Sequence, residues 1–266
     1  MKKIKKFFAL QVNGLFPFLY PLRHVVSEFR FLRGPIQYLL DIRTYKKKSS
    51  LKNDFPIHIL DTYPRLYDRY EEAGEVPHHY FYQDIWAAKK VFASGVKEHH
   101  DIGSRLDGFI AHCLIFCDVT MLDVRPLPQK IPRLSFTQTN AMDMKNIQSQ
   151  SIASISSLHA MEHFGLGRYN DPIDPEGYKK AIAEIQRVTA PLGNIYFSVP
   201  IGKERLEFNA HRIFSSKTIL RLFDHCQLIE FSAINDRNEF IEPAHMEDFL
   251  LAEYSCGLFH FQKRSL

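Results

Sequence analysis

The sequence predicts a doubly wound α/β fold with a mostly parallel sheet. Residues 99–127 are typical of a buried strand, a tight loop at Gly103, a helix over 106–116 and a second strand that ends on Asp123. Three more apolar strands alternate with helical patterns further along the chain, at 134–137, 151–158 and 195–199. Strands and helices in this alternation form a sheet covered by helices on both faces.

The composition supports one such core and an appendage. Of the 266 residues, 45% are hydrophobic and 24% are charged, as in an ordinary globular protein. We expect an N-terminal helical extension over residues 1–75 and the α/β domain over 76–266. The net charge of +4 is small and the basic excess lies at the N-terminus, which argues against a nucleic-acid partner.

The four cysteines give no zinc-binding pattern. They are too far apart in sequence for a C-x-x-C pair, and they are Cys113, Cys117, Cys226 and Cys256. We interpret them as reduced core residues of a cytoplasmic protein.

Residues 1–50 are basic and aromatic. Four lysines precede the aromatic stretch 7–20, and a second basic cluster covers 43–48. Polar residues and prolines interrupt the apolar run too early for a signal peptide or a membrane span. Two alternatives remain: a helical extension that packs on the domain, or peripheral membrane contact through residues 1–50.

The segment before the first strand is predicted to contain two helices, at 64–73 and 80–94. The apolar positions of the second helix, from Tyr82 to Phe92, fit one face.

The loop after the first strand resembles a nucleoside-binding turn. An acidic residue about 20 positions after a glycine turn, here Asp123 after Gly103, is typical of βαβ units that hold a ribose. The fingerprint for a pyrophosphate is incomplete, because Arg105 and Asp107 stand where bare backbone is needed. S-adenosylmethionine (SAM) carries no phosphate, so it suits this loop better. The alternative is a surface loop in which Asp101 and Asp123 simply end strands.

Several sequence blocks resemble the family called domain of unknown function 268, a branch of the class I SAM-dependent methyltransferase fold. They span residues 75–263 in order and are HYFYQDIW (79–86), DIGSRLDGF (101–109), DVRPL (123–127), SSLHAMEHFGLGRYNDPIDPEG (156–177), YFSVPIGKERLEFNAHRIFS (196–215) and YSCGLFHFQK (254–263). The resemblance implies a Rossmann-like class I methyltransferase sheet, mostly parallel with an antiparallel last strand, and a SAM site.

The resemblance also implies roles around the cofactor. The class I pattern has an acidic residue followed by alanine after the third strand, to pair with the adenine amino group; this chain has Asn140 and Ala141, with Asp143 three residues on. Which of Asn140 and Asp143 does so stays open. For the methionine end, Arg105 is a candidate for the carboxylate, and Asp101 or Asp107 for the ammonium. The alternative for Arg105 is an internal pair with Asp107.

The helix before the first strand often covers the cofactor in class I methyltransferases. The resemblance therefore implies that Tyr80, Gln83 and Asp84 could contact SAM. The alternative is that they only cap the helix and pack in the core.

The loop after the fourth strand faces the transferring methyl group if the fold is correct. His159 or His163 could remove a proton from an acceptor hydroxyl, and His159 is preferred because it is nearest the strand end. The candidates for substrate binding here are Glu162, Arg168, Tyr169 and Asp171. A metal bound by His159, His163, Asp171 and His211 is a further alternative, and Glu162 with His163 could instead only order the loop.

The remaining elements complete the sheet. We expect a helix over 177–189, the fifth strand, a polar loop over 200–212, a helix over 217–225, and an edge hairpin of strands 227–234 and 253–262. The polar loop adds Arg205, Asn209 and Arg212 as candidates for binding an anionic or polyhydroxylated substrate, and His211 as a third candidate base.

Together, these observations predict a SAM-dependent methyltransferase that acts on a hydroxyl of a sugar or glycan intermediate in polysaccharide biosynthesis. The alternative is a non-catalytic protein of the same fold that supports a membrane-associated glycan-assembly complex, since fold does not establish function.

Overall fold

The computed structural model describes residues 20–49, 55–71, 73–74, 76 and 78–265. The chain divides into two compact units, Met1–Glu75 and Val76–Leu266. The basic and aromatic segment predicted at residues 2–19 lies outside the described residues. Among those described, no helix has both the length and the apolar character needed to cross a membrane.

The first unit is built on one long helix, α1, Tyr20–Lys48. Single 3-10 turns follow at Ile59–Asp61 and Asp68–Tyr70. The helix predicted over 64–73 is therefore wrong: in its described part only the turn Asp68–Tyr70 is helical. That turn buries no residue, and a short helix without tertiary packing is not stable in water.

The second unit contains an eight-stranded sheet. Its strands are β1 (Glu98–Ile102), β2 (Asp118–Asp123), β3 (Leu134–Gln138), β4 (Ile152–Leu158), β5 (Thr189–Ile201), β8 (Cys226–Ile234), β9 (Phe240–Ile241) and β10 (Ser255–Lys263). Their order in the sheet is β3-β2-β1-β4-β5-β10-β8-β9. Strands β1 to β5 pair in parallel, and β10 is antiparallel to both β5 and β8. This confirms the doubly wound sheet with an antiparallel last strand. Strands β6 (Arg205–Glu207) and β7 (His211–Ile213) form a separate ribbon.

Helices cover both faces of the sheet. They are α2 (His78–Ser94), a π-helical turn (Leu106–Ile110) that continues into α3 (Ala111–Cys113), α4 (Gly177–Val188) and α5 (Ser216–Leu222). Alternate residues of a strand point to opposite faces; accordingly, Tyr196 of β5 packs in one apolar core with α2 and Phe109, and Phe197 packs in another with α4 and α5.

The helix predicted over 106–116 is shorter and irregular. Gly108 has φ −121° and ψ −111°, and a Cβ atom at this position would lie 2.1 Å from Oδ2 of Asp84. The buried carboxylate of Asp84 thus requires glycine here. This helical segment has about two turns and connects β1 to β2.

Candidate functional site

A cavity of about 290 Å³ lies at the carboxyl edge of the parallel strands. The loops after β1, β2, β3 and β4 all reach it. The predicted site residues that line it are Gly103, Arg105, Asp123, Asn140, Ala141, His159, His163, Tyr169 and Asp171. Ligands of doubly wound sheets bind at this edge, and the cavity brings these predicted residues together.

The loop after β1 turns at Gly103, whose φ is +73°. Asp101, fully buried at the strand end, holds the loop: its carboxylate accepts hydrogen bonds from the backbone N–H of Ser104 at 2.9 Å, from the Ser104 hydroxyl at 2.7 Å and from the Ser156 hydroxyl. Burial raises the pKa of Asp101 to about 6 although these hydrogen bonds favour the ionised form. Asp101 shapes the turn and does not line the cavity.

Asp123 ends β2 at the cavity, and its side chain is 7% exposed. It accepts hydrogen bonds from Arg125, through the backbone N–H at 2.8 Å, Nε at 3.0 Å and Nη2 at 2.7 Å. The guanidinium of Arg125 also lies 4.7 Å from the ring centre of Tyr169. Asp123 is therefore a buried acceptor held in place by a half-exposed cation.

Arg105 and Asp107 form the internal pair that was the alternative for Arg105. The guanidinium donates to Asp107 at 3.0 and 2.7 Å, and it lies 5.4 Å from the ring centre of Tyr80. Both charged side chains are more than half exposed. Arg105 and Tyr80 line the cavity, and Asp107 lies outside it, in a shallow neighbouring groove.

The loop after β3 presents Asn140 to the cavity. Its Oδ1 accepts the backbone N–H of Met142 at 3.0 Å, and a second lone pair of that oxygen is available for another donor. Ala141 and Met142 supply an apolar wall beside it. Asp143 does not line the cavity and pairs with Lys145 at 2.9 Å.

His159 follows β4 with a φ of +50°, a strained backbone conformation for a residue other than glycine. Its Nδ1 lies 2.7 Å from Oε1 of Glu162, and its Nε2 lies 3.2 Å from Nδ1 of His79. Burial alone would lower the pKa of His159, but the adjacent Cys256 sulfur and the Glu162 carboxylate raise it well above its usual value. Burial, with His159 beside it, lowers the pKa of His79 to about 3.

His163 is held by a backbone carbonyl on the ribbon loop. Its Nδ1 lies 2.7 Å from the carbonyl oxygen of Ala210, and a carbonyl only accepts, so Nδ1 carries the proton. The Ala210 oxygen also accepts from Nη1 of Arg168 at 2.8 Å. Nε2 of His163 lies 3.7 Å from Oε1 of the buried Glu162 carboxylate, on a side chain that lines the cavity. Burial lowers the pKa of His163.

The remaining predicted residues lie outside the cavity lining. His211 lies 3.2 Å from Glu207, Arg205 pairs with the same carboxylate, and Asn209 is exposed. Arg212 is buried and donates to the backbone carbonyl of Phe164 at 2.7 Å. Glu162 is 1% exposed and holds His159. In the described part of the chain, His163, Asp171 and His211 do not gather with His159 into a metal-binding group.

Sequence reasoning gave no role to Arg125, His79 or Thr139. Arg125 follows Asp123 by two residues, and an acidic residue whose side chain accepts the N–H two positions later is a common turn. That spacing could have indicated the pair. His79 is brought to His159 only by tertiary packing, which one sequence does not show.

Many solved structures share this architecture. The 1,6-didemethyltoxoflavin-N1-methyltransferase of Burkholderia thailandensis, with bound 1,6-didemethyltoxoflavin and S-adenosylhomocysteine, is 16% identical and matches with a TM-score of 0.51 over 69% of this chain and 79% of its own. The 4+2 cyclase SpnF is 11% identical and matches with a TM-score of 0.54 over 72% of this chain and 89% of its own. The chain has the class I methyltransferase fold that the sequence predicted.

The family described as Caenorhabditis protein of unknown function, DUF268, matches residues 130–246. This span includes β3, the loop after β4 and the ribbon β6–β7, and it confirms the resemblance that the sequence blocks indicated. No curated protein matches the sequence.

Proposed function

We propose that this protein binds SAM in the cavity and transfers its methyl group to a small acceptor. The observation that carries the proposal is Asp123, a buried acidic side chain at the end of β2, on the same cavity as the bare backbone of Gly103 and the amide of Asn140. Asp123 would accept the ribose hydroxyls, Asn140 would accept from the adenine amino group, and Arg105 would hold the methionine carboxylate.

The cavity wall fits this cofactor. A Cβ atom at Gly103 would lie 3.2 Å from the Cβ atom of Ala160, which is a tight contact. Glycine avoids this contact and leaves the backbone of the turn bare toward the cavity. Ala141 and Met142 offer apolar surface for a purine beside the polar group of Asn140, the mixture that small-molecule sites use. SAM, when bound, supplies an electrophilic methyl group.

We propose His163 as the base that accepts the proton of an acceptor hydroxyl. Its Nδ1–H donates to Ala210, so Nε2 is the nitrogen that can accept a proton, and the Glu162 carboxylate 3.7 Å from Nε2 would stabilise the imidazolium that forms. His159, which sequence position favours, has both nitrogens engaged with Glu162 and His79. A positioned base of this kind contributes about 10²- to 10⁴-fold to the rate.

We propose a hydroxyl of a sugar or glycan as the acceptor, in polysaccharide biosynthesis. The rings of Tyr80 and Tyr169 line the cavity, and Arg168 lies 5.2 Å from the ring centre of Tyr169. Aromatic faces beside a few polar groups suit a polyhydroxylated ring. Asp171 accepts two backbone N–H groups of its own loop, so its role would be to shape this wall.

The test is S-adenosylhomocysteine release by the purified chain with a panel of glycans and nucleotide sugars. His163→Gln should lower the rate about 10²- to 10⁴-fold with little change in SAM affinity. His225→Gln, at an exposed histidine, is the matched control and should keep the rate. If His163→Gln is as fast as the control, His163 is not the base.

We also propose a cytoplasmic location with peripheral membrane contact through residues 1–50. In the described part of α1, Ile36, Leu39 and Leu40 are exposed along one stripe, and three lysines end the helix. Apolar and basic residues in this arrangement bind anionic lipid. Replacing Lys46, Lys47 and Lys48 by glutamine should reduce salt-sensitive co-sedimentation with anionic vesicles; unchanged sedimentation would contradict the proposal.

A further inference from the structure

Three buried side chains from separate elements meet next to the cavity. His79 lies in the first turn of α2, His159 follows β4, and Cys256 is near the start of β10. One ligand atom of each lies within 4.8 Å of the other two, and Nδ1 of His79 is 3.2 Å from Nε2 of His159. Each of the three residues is less than 9% exposed.

We propose that His79, His159 and Cys256 form a binding site for a thiophilic divalent metal ion of the Zn²⁺ type. Two imidazoles and one thiolate prefer zinc over magnesium or calcium. In a tetrahedral zinc site, the known bond lengths put two nitrogens about 3.3 Å apart and a nitrogen and a sulfur about 3.6 Å apart. The two histidine nitrogens already have this separation. The sulfur lies within 4.8 Å of them and needs to approach by at most about 1.2 Å.

The surroundings of His159 are those of a metal ligand. Its Nδ1 donates to the Glu162 carboxylate at 2.7 Å, which leaves Nε2 as the ligating atom and orients the ring. In such sites a carboxylate commonly accepts a hydrogen bond from the ring nitrogen of the histidine that does not bind the metal. The positive φ of His159 is a further sign, because strained backbone is concentrated at functional positions.

The other two ligands are also held in place. The ring of Tyr254 stacks on that of His79 with ring centres 5.3 Å apart. Cys256 is fully buried in the pairing of β10 with β5 and β8. Three protein ligands leave one position for a water or an acceptor atom, as in catalytic zinc sites, and His159 itself lines the cavity. The site goes beyond methyl transfer and does not require SAM to bind.

The competing explanation is a hydrogen bond between two imidazoles with a cysteine nearby by packing. Titration of the purified full chain, cleared of metal, with Co²⁺ as a probe separates the two. A metal site predicts uptake of one equivalent, a sulfur-to-cobalt charge-transfer band in the near ultraviolet, and displacement by Zn²⁺ but not by Mg²⁺. Absence of uptake, or uptake without that band, would overturn the proposal.

Variants then locate the site. Cys256→Ser should abolish the band, while Cys226→Ser, at another buried cysteine outside the group, should retain it. Glu162→Gln should weaken Co²⁺ binding about 10- to 100-fold. Circular dichroism must show that each variant is folded. If Cys256→Ser does not fold, His79→Gln replaces it, and the expected result is the loss of the one bound equivalent of Co²⁺. A band that survives Cys256→Ser, or that disappears with Cys226→Ser, would contradict the assignment.

Discussion

The guanidinium of Arg125 lies across the carboxylate of Asp123, with Nη2 2.7 Å from Oδ2 and Nε 3.0 Å from Oδ1. The backbone N–H of Arg125 adds a third hydrogen bond. A carboxylate has about four acceptor positions, so a ribose that binds Asp123 through two hydroxyls competes with the guanidinium. The Arg125 side chain is 50% exposed and can move aside.

Arg125→Ala should therefore tighten SAM binding. An ion pair with an exposed partner is worth about 1 kcal/mol or less, so removing the competitor should lower the dissociation constant by up to about fivefold. Isothermal titration of SAM into the wild type and the variant measures this. Arg133→Ala, which removes a surface pair with Asp118, is the control. Weaker binding by Arg125→Ala would show that Arg125 contacts the ligand.

Arg105→Ala should discriminate among ligands. If the guanidinium leaves Asp107 to bind the methionine carboxylate through two hydrogen bonds, SAM and S-adenosylhomocysteine should bind about 10-fold or more weakly, as for hydrogen bonds to a charged group. Adenosine, which lacks the amino-acid end, should keep its affinity. Asp107→Ala breaks the same internal pair and is the matched control. Equal losses for all three ligands would mean that Arg105 only shapes the loop.

Asp101→Asn should remove a pH dependence of stability. The folded-state pKa of Asp101 is raised to about 6. The stabilisation that protonated Asp101 gives the folded state is therefore fully present below about pH 4 and is lost as pH rises through about 6. Relative to the variant, the wild type should lose about 3 kcal/mol across this window, at 1.4 kcal/mol per unit of pKa shift. Ser104, Ser156 and the carboxylate of Asp84 surround the group.

Denaturant unfolding of both proteins from about pH 4 to about pH 8 gives the two curves. Asp118→Asn, at the exposed carboxylate that pairs with Arg133, controls for a general change of charge. Parallel curves for the wild type and Asp101→Asn would show that Asp101 titrates normally in the folded protein.

The sequence is sufficient to predict the sheet, because strand-like segments alternate with helical patterns and turns, and the antiparallel last strand follows from the family resemblance. It also identifies the residues directly after each parallel strand, since those ends share one edge. Gly103, Asp123 and His159 were found in this way. The helix at 106–116 was predicted too long because the packing of Asp84 against Gly108 is a contact between distant parts of the chain.

Side-chain direction is what the sequence does not determine. Asn140 and Asp143 are equal candidates in sequence, yet only Asn140 lines the cavity. The pair of imidazoles in His79 and His159 joins a helix start to a strand end, and no spacing rule predicts it. Cys256 was interpreted as a core residue, and its burial agrees, but its neighbours were visible only in the fold.

Calorimetric titration of SAM into the purified wild type and Asp123→Ala tests whether the cavity is a SAM site. We expect saturable binding of one SAM per chain, weakened by about 1.5 to 3 kcal/mol in the folded variant, because two ribose hydroxyls lose a charged acceptor. Absence of saturable binding by the wild type would contradict the cofactor site and favour a non-catalytic protein of this fold. An unchanged dissociation constant in folded Asp123→Ala would remove Asp123 from the site.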